Sequence, residues 1–152
     1  MANDEPRIKL LHENRKARHD YTLSDAIEAG LVLVGSEVKS LRVSGNINLT
    51  DAYVDIRPDG AWLLGSYIAP YEEANRENHD PRRPRKLLLH SNQIEKLAKA
   101  TRERGVTLIP IKLYFKGNRV KIEIAVARGK KQYDKREALK ARDVEKQLRR
   151  IR

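Results

Sequence analysis

Carboxylates and imidazoles build most active sites, and this chain supplies both without arranging them in a catalytic pattern. Any two of Glu28, Glu37 and Asp80 can in principle pair as a general acid and base, but no spacing joins them, and structural or salt-bridge roles are the simpler expectation. The four histidines, His12, His19, His79 and His90, never stand at the i, i+4 spacing by which one helix face presents two ligands, and the chain has no cysteine. No metal site, no disulfide and no cofactor is therefore expected. His19 and His79 read as hydrogen-bonding surface residues. A nucleophile elbow (Gly-x-Ser-x-Gly), a phosphate loop (Gly-x-x-x-x-Gly-Lys) and a dinucleotide fingerprint (Gly-x-Gly-x-x-Gly) are all missing from the 152 residues. The expectation is a protein that binds rather than one that catalyses.

Charge points to what is bound. Lys and Arg total 32 against 21 Asp and Glu, a net +11, and residues 128–152 hold eleven cations and four anions, so +7 of the +11 lies in the last 25 residues. A polyanion suits such an element, because each phosphate neutralised releases condensed counterions. A solvated, solubilising tail is the other reading of a charge run. No run approaches the roughly 18 apolar residues of a membrane span, and residues 1–13 contain no apolar core of a secretory signal, so a soluble, cytoplasmic protein is expected.

The elements that must carry these residues can be read from local pattern. Residues 15–20 form a polar, basic lead-in to an alternating piece at 21–23. Ser24, followed by Asp25 and Glu28 and closed by Gly30, has the composition of a short capped helix. "LVLV" at 31–34 reads as a buried strand, and 36–45 as a second helix with Val38 and Leu41 inward and Lys39 and Arg42 outward. Ala52, Val54 and Ile56 alternate with Tyr53, Asp55 and Arg57 before Pro58-Asp59-Gly60, which predicts a hairpin returning through 61–69. Residues 70–86 read as a long surface loop. A helix is predicted over 91–104, with Ile94, Leu97 and Ala98 on one face. Two strands follow around the turn 116–118, the second with Val120, Ile122, Ile124 and Val126 on one side, and Pro110 fits an edge or a bulge. About six short antiparallel strands with about three short flanking helices predict a mainly β fold, a small closed barrel.

Six stretches share a family pattern: "NRKARHDY" (14–21), "EAG" (28–30), "SEVKSLR" (36–42), "DPRRPRKLLLH" (80–90), "KLYFKGNRVKIEIAVARGKK" (112–131) and "DKRE" (134–137). In that order, over nearly all of the chain after residue 13, they resemble small protein B, the bacterial tmRNA-binding family of trans-translation. The resemblance implies an oligonucleotide-binding type of barrel without catalytic activity, acting as a monomer with tmRNA and the 70S ribosome as partners. It divides the chain into a flexible segment 1–13, an RNA-binding barrel 14–128 and a basic tail 129–152, disordered when free and helical when bound. The family's surface for the tRNA-like domain of tmRNA falls on Asn14, Lys16, Arg18, His19, Glu28, Leu88 and Lys121, with Ser40 and Arg42 beside them. Lys16, Arg18 and Lys121 suit phosphates, Asn14 and His19 suit sugar or base edges, and Glu28 must accept from a base or orient a cation. Two environments are open for Leu88, against an unstacked base or in the core beside Leu87 and Leu89.

In the tail the family signature falls on Gly129, Lys130, Lys131, Asp134, Lys135 and Arg136, for the empty mRNA channel of the small subunit, and Tyr133, at a position where the family tolerates an aromatic or imidazole, is suited to stack on a decoding-centre base. Ala141, Val144, Leu148 and Ile151 form a stripe too thin to hold a helix alone, so ordering awaits a partner. As a helix, the 24 residues reach about 36 Å at ~1.5 Å each. Two other classes fit the composition: a structural ribosomal protein with a basic extension, and an RNA-processing enzyme, against which the lack of clustered Asp, Glu and His counts.

Overall fold

The computed structural model describes residues 7–74 and 78–129. The chain is mainly β with a few helices. A seven-stranded sheet is assembled from β1 (Ile8–Glu13), β2 (Tyr21–Leu31), β4 (Tyr53–Arg57), β5 (Gly60–Leu64), β7 (Arg85–Leu88), β8 (Val106–Lys116) and β9 (Arg119–Gly129), all paired antiparallel. Its order is β1-β8-β4-β5-β7-β2-β9, and β8 also pairs with β9, so the pairings run round a ring with β1 laid along β8. A two-stranded sheet joins β3 (Ile47–Asn48) to β6 (Tyr67–Ile68).

The longest strands have the cleanest reason to form. Val120, Ile122, Ile124 and Val126 alternate along β9 and are all buried, meeting Leu108, Leu113 and Phe115 of β8, Ala29 and Leu31 of β2, and Val54 and Leu63 of the hairpin. Helix α2 (Gly35–Val43) contributes Leu41 and α3 (Ser91–Arg102) contributes Leu97 to the same core. The hairpin turns at Pro58 and Asp59 with Arg57 opposite Gly60. Pro110 lies at a register shift in the β8–β9 pairing, where a residue without an N–H is tolerated.

Four local expectations give way to tertiary pairing. The Ser24-to-Gly30 helix is a strand: β2 finds β9 on one side and β7 on the other, and Ser24 and Asp25 mark a bulge, with Asp25 at φ 52°. Of "LVLV" only Leu31 is in a strand; Val32 and Val34 are exposed where the chain turns into α2. The polar lead-in is helix α1 (Arg15–Asp20), and residues 8–13 are strand β1 rather than a flexible leader, with β8 as partner. The long loop holds a short 3-10 turn at Glu72–Ala74 and ends inside the protein: Arg85, which opens β7, is fully buried, and His79 is largely buried, its ring nitrogens meeting Ser36 Oγ at 2.8 Å and Ile68 O at 3.0 Å.

Gly129 is the last residue of β9, opposite Tyr21, so the sheet extends one residue into the expected tail. Lys130, Lys131, Tyr133, Asp134, Lys135 and Arg136 lie outside the described residues.

Candidate nucleic-acid interface

The predicted surface residues fall into two groups, two internal positions and Arg42 standing apart. At one end of β2, α1 packs on the outer sheet face through Ala17, in a small apolar cluster with Ile109 and Ala127 flanked by Tyr21 and Leu23. That leaves Lys16, Arg18 and His19 on the exposed side of the helix. Arg18 pairs with Glu13 at 3.3 Å, and His19 Nδ1 lies 3.0 Å from Asp20.

Asn14 is not among them. It is 1 % exposed, its Oδ1 accepts from Ala17 N at 3.2 Å, and its Nδ2 donates to Leu49 O at 3.2 Å and Pro110 O at 3.1 Å. Its amide is consumed in capping α1 and fastening it to two other segments, which corrects the expectation of a sugar or base contact. Ser40 is likewise internal: buried, it donates to Ala69 O at 2.5 Å. Arg42, on the same helix, is exposed, with its guanidinium over the Phe115 ring at 5.4 Å.

The second group lies at the other end of β2, about nine residues and roughly 30 Å along the strand. Gly30 is opposite Leu88 on one side and Lys121 on the other, and Lys121 is opposite Tyr114. Leu88 is 58 % exposed, although Leu87 beside it is 2 % exposed. Strand alternation sends one inward and the other out, which removes Leu88 from the core beside Leu87. The groove at this end has a volume of about 590 Å³ and takes its walls from Glu28, Leu88, Lys121, Lys86, Asp59 and Gln93. Among the predicted residues, Glu28, Leu88 and Lys121 are brought together, whereas Lys16, Arg18 and His19 form a separate face.

Glu28 has protein partners. Its carboxylate accepts from Tyr114 Oη at 2.5 Å and Lys116 Nζ at 3.2 Å. The Tyr114 hydrogen bond is the largest influence on its carboxyl; burial opposes it, and the Lys116 contact adds to it, so the carboxyl is held below the ordinary range. Tyr114 is pushed well above its usual value by burial and by Glu28. An ionised Glu28 thus anchors a lysine and a tyrosine on the face that carries Lys121. Neither Tyr114 nor Lys116 was legible as a site residue; the cue available in the sequence was their period-2 spacing with Lys112 along β8.

A buried ion-pair network fixes the start of β7. Glu37 and Arg85 have no exposure, and Arg85 Nε donates to Glu37 Oε2 at 2.5 Å and its Nη1 to Ser66 Oγ at 2.9 Å. Arg83 also pairs with Glu37, whose Oε1 accepts from Val34 N at 3.0 Å as the cap of α2. Three residues beyond Arg85 along β7 stands Leu88. Among the described residues no group of three or more His, Asp or Glu gathers as a metal site.

Fold and surface together define a mainly β binding module in which half-buried lysines flank an exposed apolar side chain. A sequence model described as "SmpB protein" matches residues 11–152. A protein of Carboxydothermus hydrogenoformans named SsrA-binding protein is 51% identical over 140 residues, covering 92% of this chain and 93% of its own. The SsrA-binding protein of Enterococcus faecalis is 54% identical over 140 residues, covering 92% and 90%. A solved structure described as "tmRNA-SmpB: a journey to the center of the bacterial ribosome" superposes with a TM-score of 0.67 at 43% identity, over 78% of this chain and 83% of that one. The chain belongs to the SmpB protein family.

Proposed function

We propose that the chain is an RNA-binding adaptor of trans-translation, with no catalytic activity of its own. It binds the tRNA-like domain of tmRNA, brings it to stalled 70S ribosomes in the cytoplasm, and inserts residues 129–152 into the vacant mRNA channel by the decoding centre. The names of its relatives and of the similar solved structure support tmRNA and the ribosome as partners. The observation that carries the reading is the exposed Leu88, separated from the cation Lys121 only by Gly30 and close to a lysine held by Glu28. An apolar side chain is displayed where it can meet an unstacked base, among cations that can meet phosphates, which is how proteins read folded RNA rather than duplex sequence.

In this reading the sheet ring is a closed barrel of the oligonucleotide-binding type. Lys16, Arg18 and His19 form a second contact face, Arg42 a third contact, and Asn14 and Ser40 hold these elements in place from within. The decisive measurement is affinity for tmRNA beside an unrelated structured RNA of equal length, at one stated salt concentration. Preference for tmRNA is expected, and equal affinity would sink the assignment in favour of a generally basic ribosomal protein.

A further inference from the structure

Strand β1 has an open edge. Among the described residues it pairs with β8 alone, and since Lys112 to Lys116 of β8 also pair with β9, the two neighbours lie on opposite edges of β8. The free edge of β1 therefore points away from the strands that carry Glu28, Lys121 and Leu88. Leu11 takes up the bulge between Leu10 and His12 and packs on the core, which leaves Ile8 and Leu10 outside it, 66 % and 52 % exposed. The backbone is open at the same two residues. Gly117 N donates to Arg7 O at 2.8 Å, so Arg7 and Gly117 form a hydrogen-bonded pair of the antiparallel ladder. Such pairs alternate with non-bonded ones, so the N–H and C=O of Ile8 and Leu10 point away from β8, and among the described residues no further strand receives them. Arg7 and Lys9 alternate with the two apolar residues and project to the opposite face. Both are exposed, and neither side chain has an ion-pair partner among the described residues.

We infer that this edge is a docking site for an extended segment of a partner protein, added to β1 as a further strand, with apolar side chains along one face and carboxylates along the other. The main-chain groups of Ile8 and Leu10 supply the hydrogen bonds of strand addition. The partner's apolar residues pack on Ile8 and Leu10, and its carboxylates stand beside Arg7 and Lys9 as cross-strand pairs of opposite charge. A second copy of this chain is a poor occupant, because β1 against β1 sets Arg7 and Lys9 beside like charges. RNA offers phosphates to the two cations but no row of alternating donors and acceptors at the strand repeat to meet the four main-chain groups. The site is independent of the RNA-binding reading, which uses other strands.

The probe is a short peptide alternating valine and glutamate, titrated into the full chain while its backbone amide signals are followed by NMR. Saturable shifts centred on Ile8 and Leu10 are expected, with slowed exchange of those two amides. A peptide alternating valine and lysine should bind about tenfold more weakly, the scale of two opposite-charge cross-strand pairs becoming like-charge ones. Exchanging Arg7→Glu and Lys9→Glu together should reverse that preference. N-methylation of one alternate set of peptide residues should abolish binding, because the main-chain bonds to β1 are then lost, while methylation of the other set should not. Leu10→Ser should weaken peptide binding and leave affinity for tmRNA unchanged. No saturable shift at millimolar peptide, or equal binding of both methylated peptides, would overturn the site. A Leu10→Ser variant that loses tmRNA affinity while it still binds the peptide would make this edge an RNA surface instead. Concentration-dependent sedimentation of the parent chain that Leu10→Ser removes would give the edge to a second copy and overturn the proposal as well.

Discussion

Glu37 is the residue on which the most structure depends. Its carboxylate caps α2, pairs with Arg83 and neutralises Arg85, a guanidinium with no solvent to turn to. Burial alone would raise its carboxyl, but the hydrogen bonds from Arg83, Val34 N and Arg85 outweigh burial and hold it below 4.5. A carboxylate lowered by folding stabilises the native state above its unfolded value and loses that contribution as pH falls through the folded one. Urea midpoints should therefore drop as pH falls below about 4.5, and Glu37→Gln should remove part of that dependence. At pH 7 the same variant should cost about 3–5 kcal/mol in urea unfolding, the range for stranding a buried partner charge. On the surface the scale is smaller. Lys121→Ala should reduce the salt slope of tmRNA binding by about one if the ammonium neutralises one phosphate. Glu28→Gln should weaken that binding despite removing a negative charge, because Tyr114 and Lys116 lose their anchor; an unchanged or tighter complex would show that Glu28 positions nothing of consequence.

Among the elements, α1 is the most dependent on others. It is a six-residue helix that cannot persist alone, and one amide, Asn14, ties it to Leu49 and Pro110 while capping its first turn. Asn14→Ala removes the cap and leaves two buried carbonyls without that donor, so a loss of about 2–4 kcal/mol is expected in denaturant unfolding. Binding of tmRNA should weaken as well, through displacement of Lys16, Arg18 and His19 rather than loss of a contact. Asn14→Ser separates the two effects: it keeps a neutral capping oxygen and loses the amide donor, so it should retain more stability than Ala. A full return of RNA affinity without a gain in stability would contradict a positioning role.

For the whole molecule, charge separates body from tail, with +7 of the +11 in residues 128–152. If the sheet reads tmRNA and the tail reads the vacant channel, replacing Asp134, Lys135 and Arg136 together by Ala should leave tmRNA affinity nearly unchanged and abolish peptidyl transfer to alanyl-tmRNA. Net charge changes by one unit, so general attraction to the ribosome should persist. A scrambled tail of identical composition that supports transfer would reduce the tail to a basic anchor. Loss of tmRNA binding in the triple variant would break the division of labour.

The sequence by itself determined the β class, the hairpin, α2, α3 and the inward face of β9, because each is written in a local period or turn: Val120, Ile122, Ile124 and Val126 bury themselves whichever strand lies beside them. It also placed Glu28, Leu88 and Lys121 on a candidate surface, through family resemblance rather than periodicity. Only the tertiary structure decided what depends on a distant partner. Ser24 and Asp25 have the chemistry of a helix cap, yet β9 and β7 supply hydrogen bonds along both edges of that segment and make it a strand. Arg85 sits in a run that reads as solvated because its counter-ion, Glu37, is 48 residues earlier. Three consecutive leucines give no clue to which one faces out; Leu88 is exposed because β7 pairs Leu87 with Ala61 in the interior and sets Leu88 against Gly30 on the surface. Local pattern fixes how a segment alternates, but register with a partner strand fixes which alternate meets solvent.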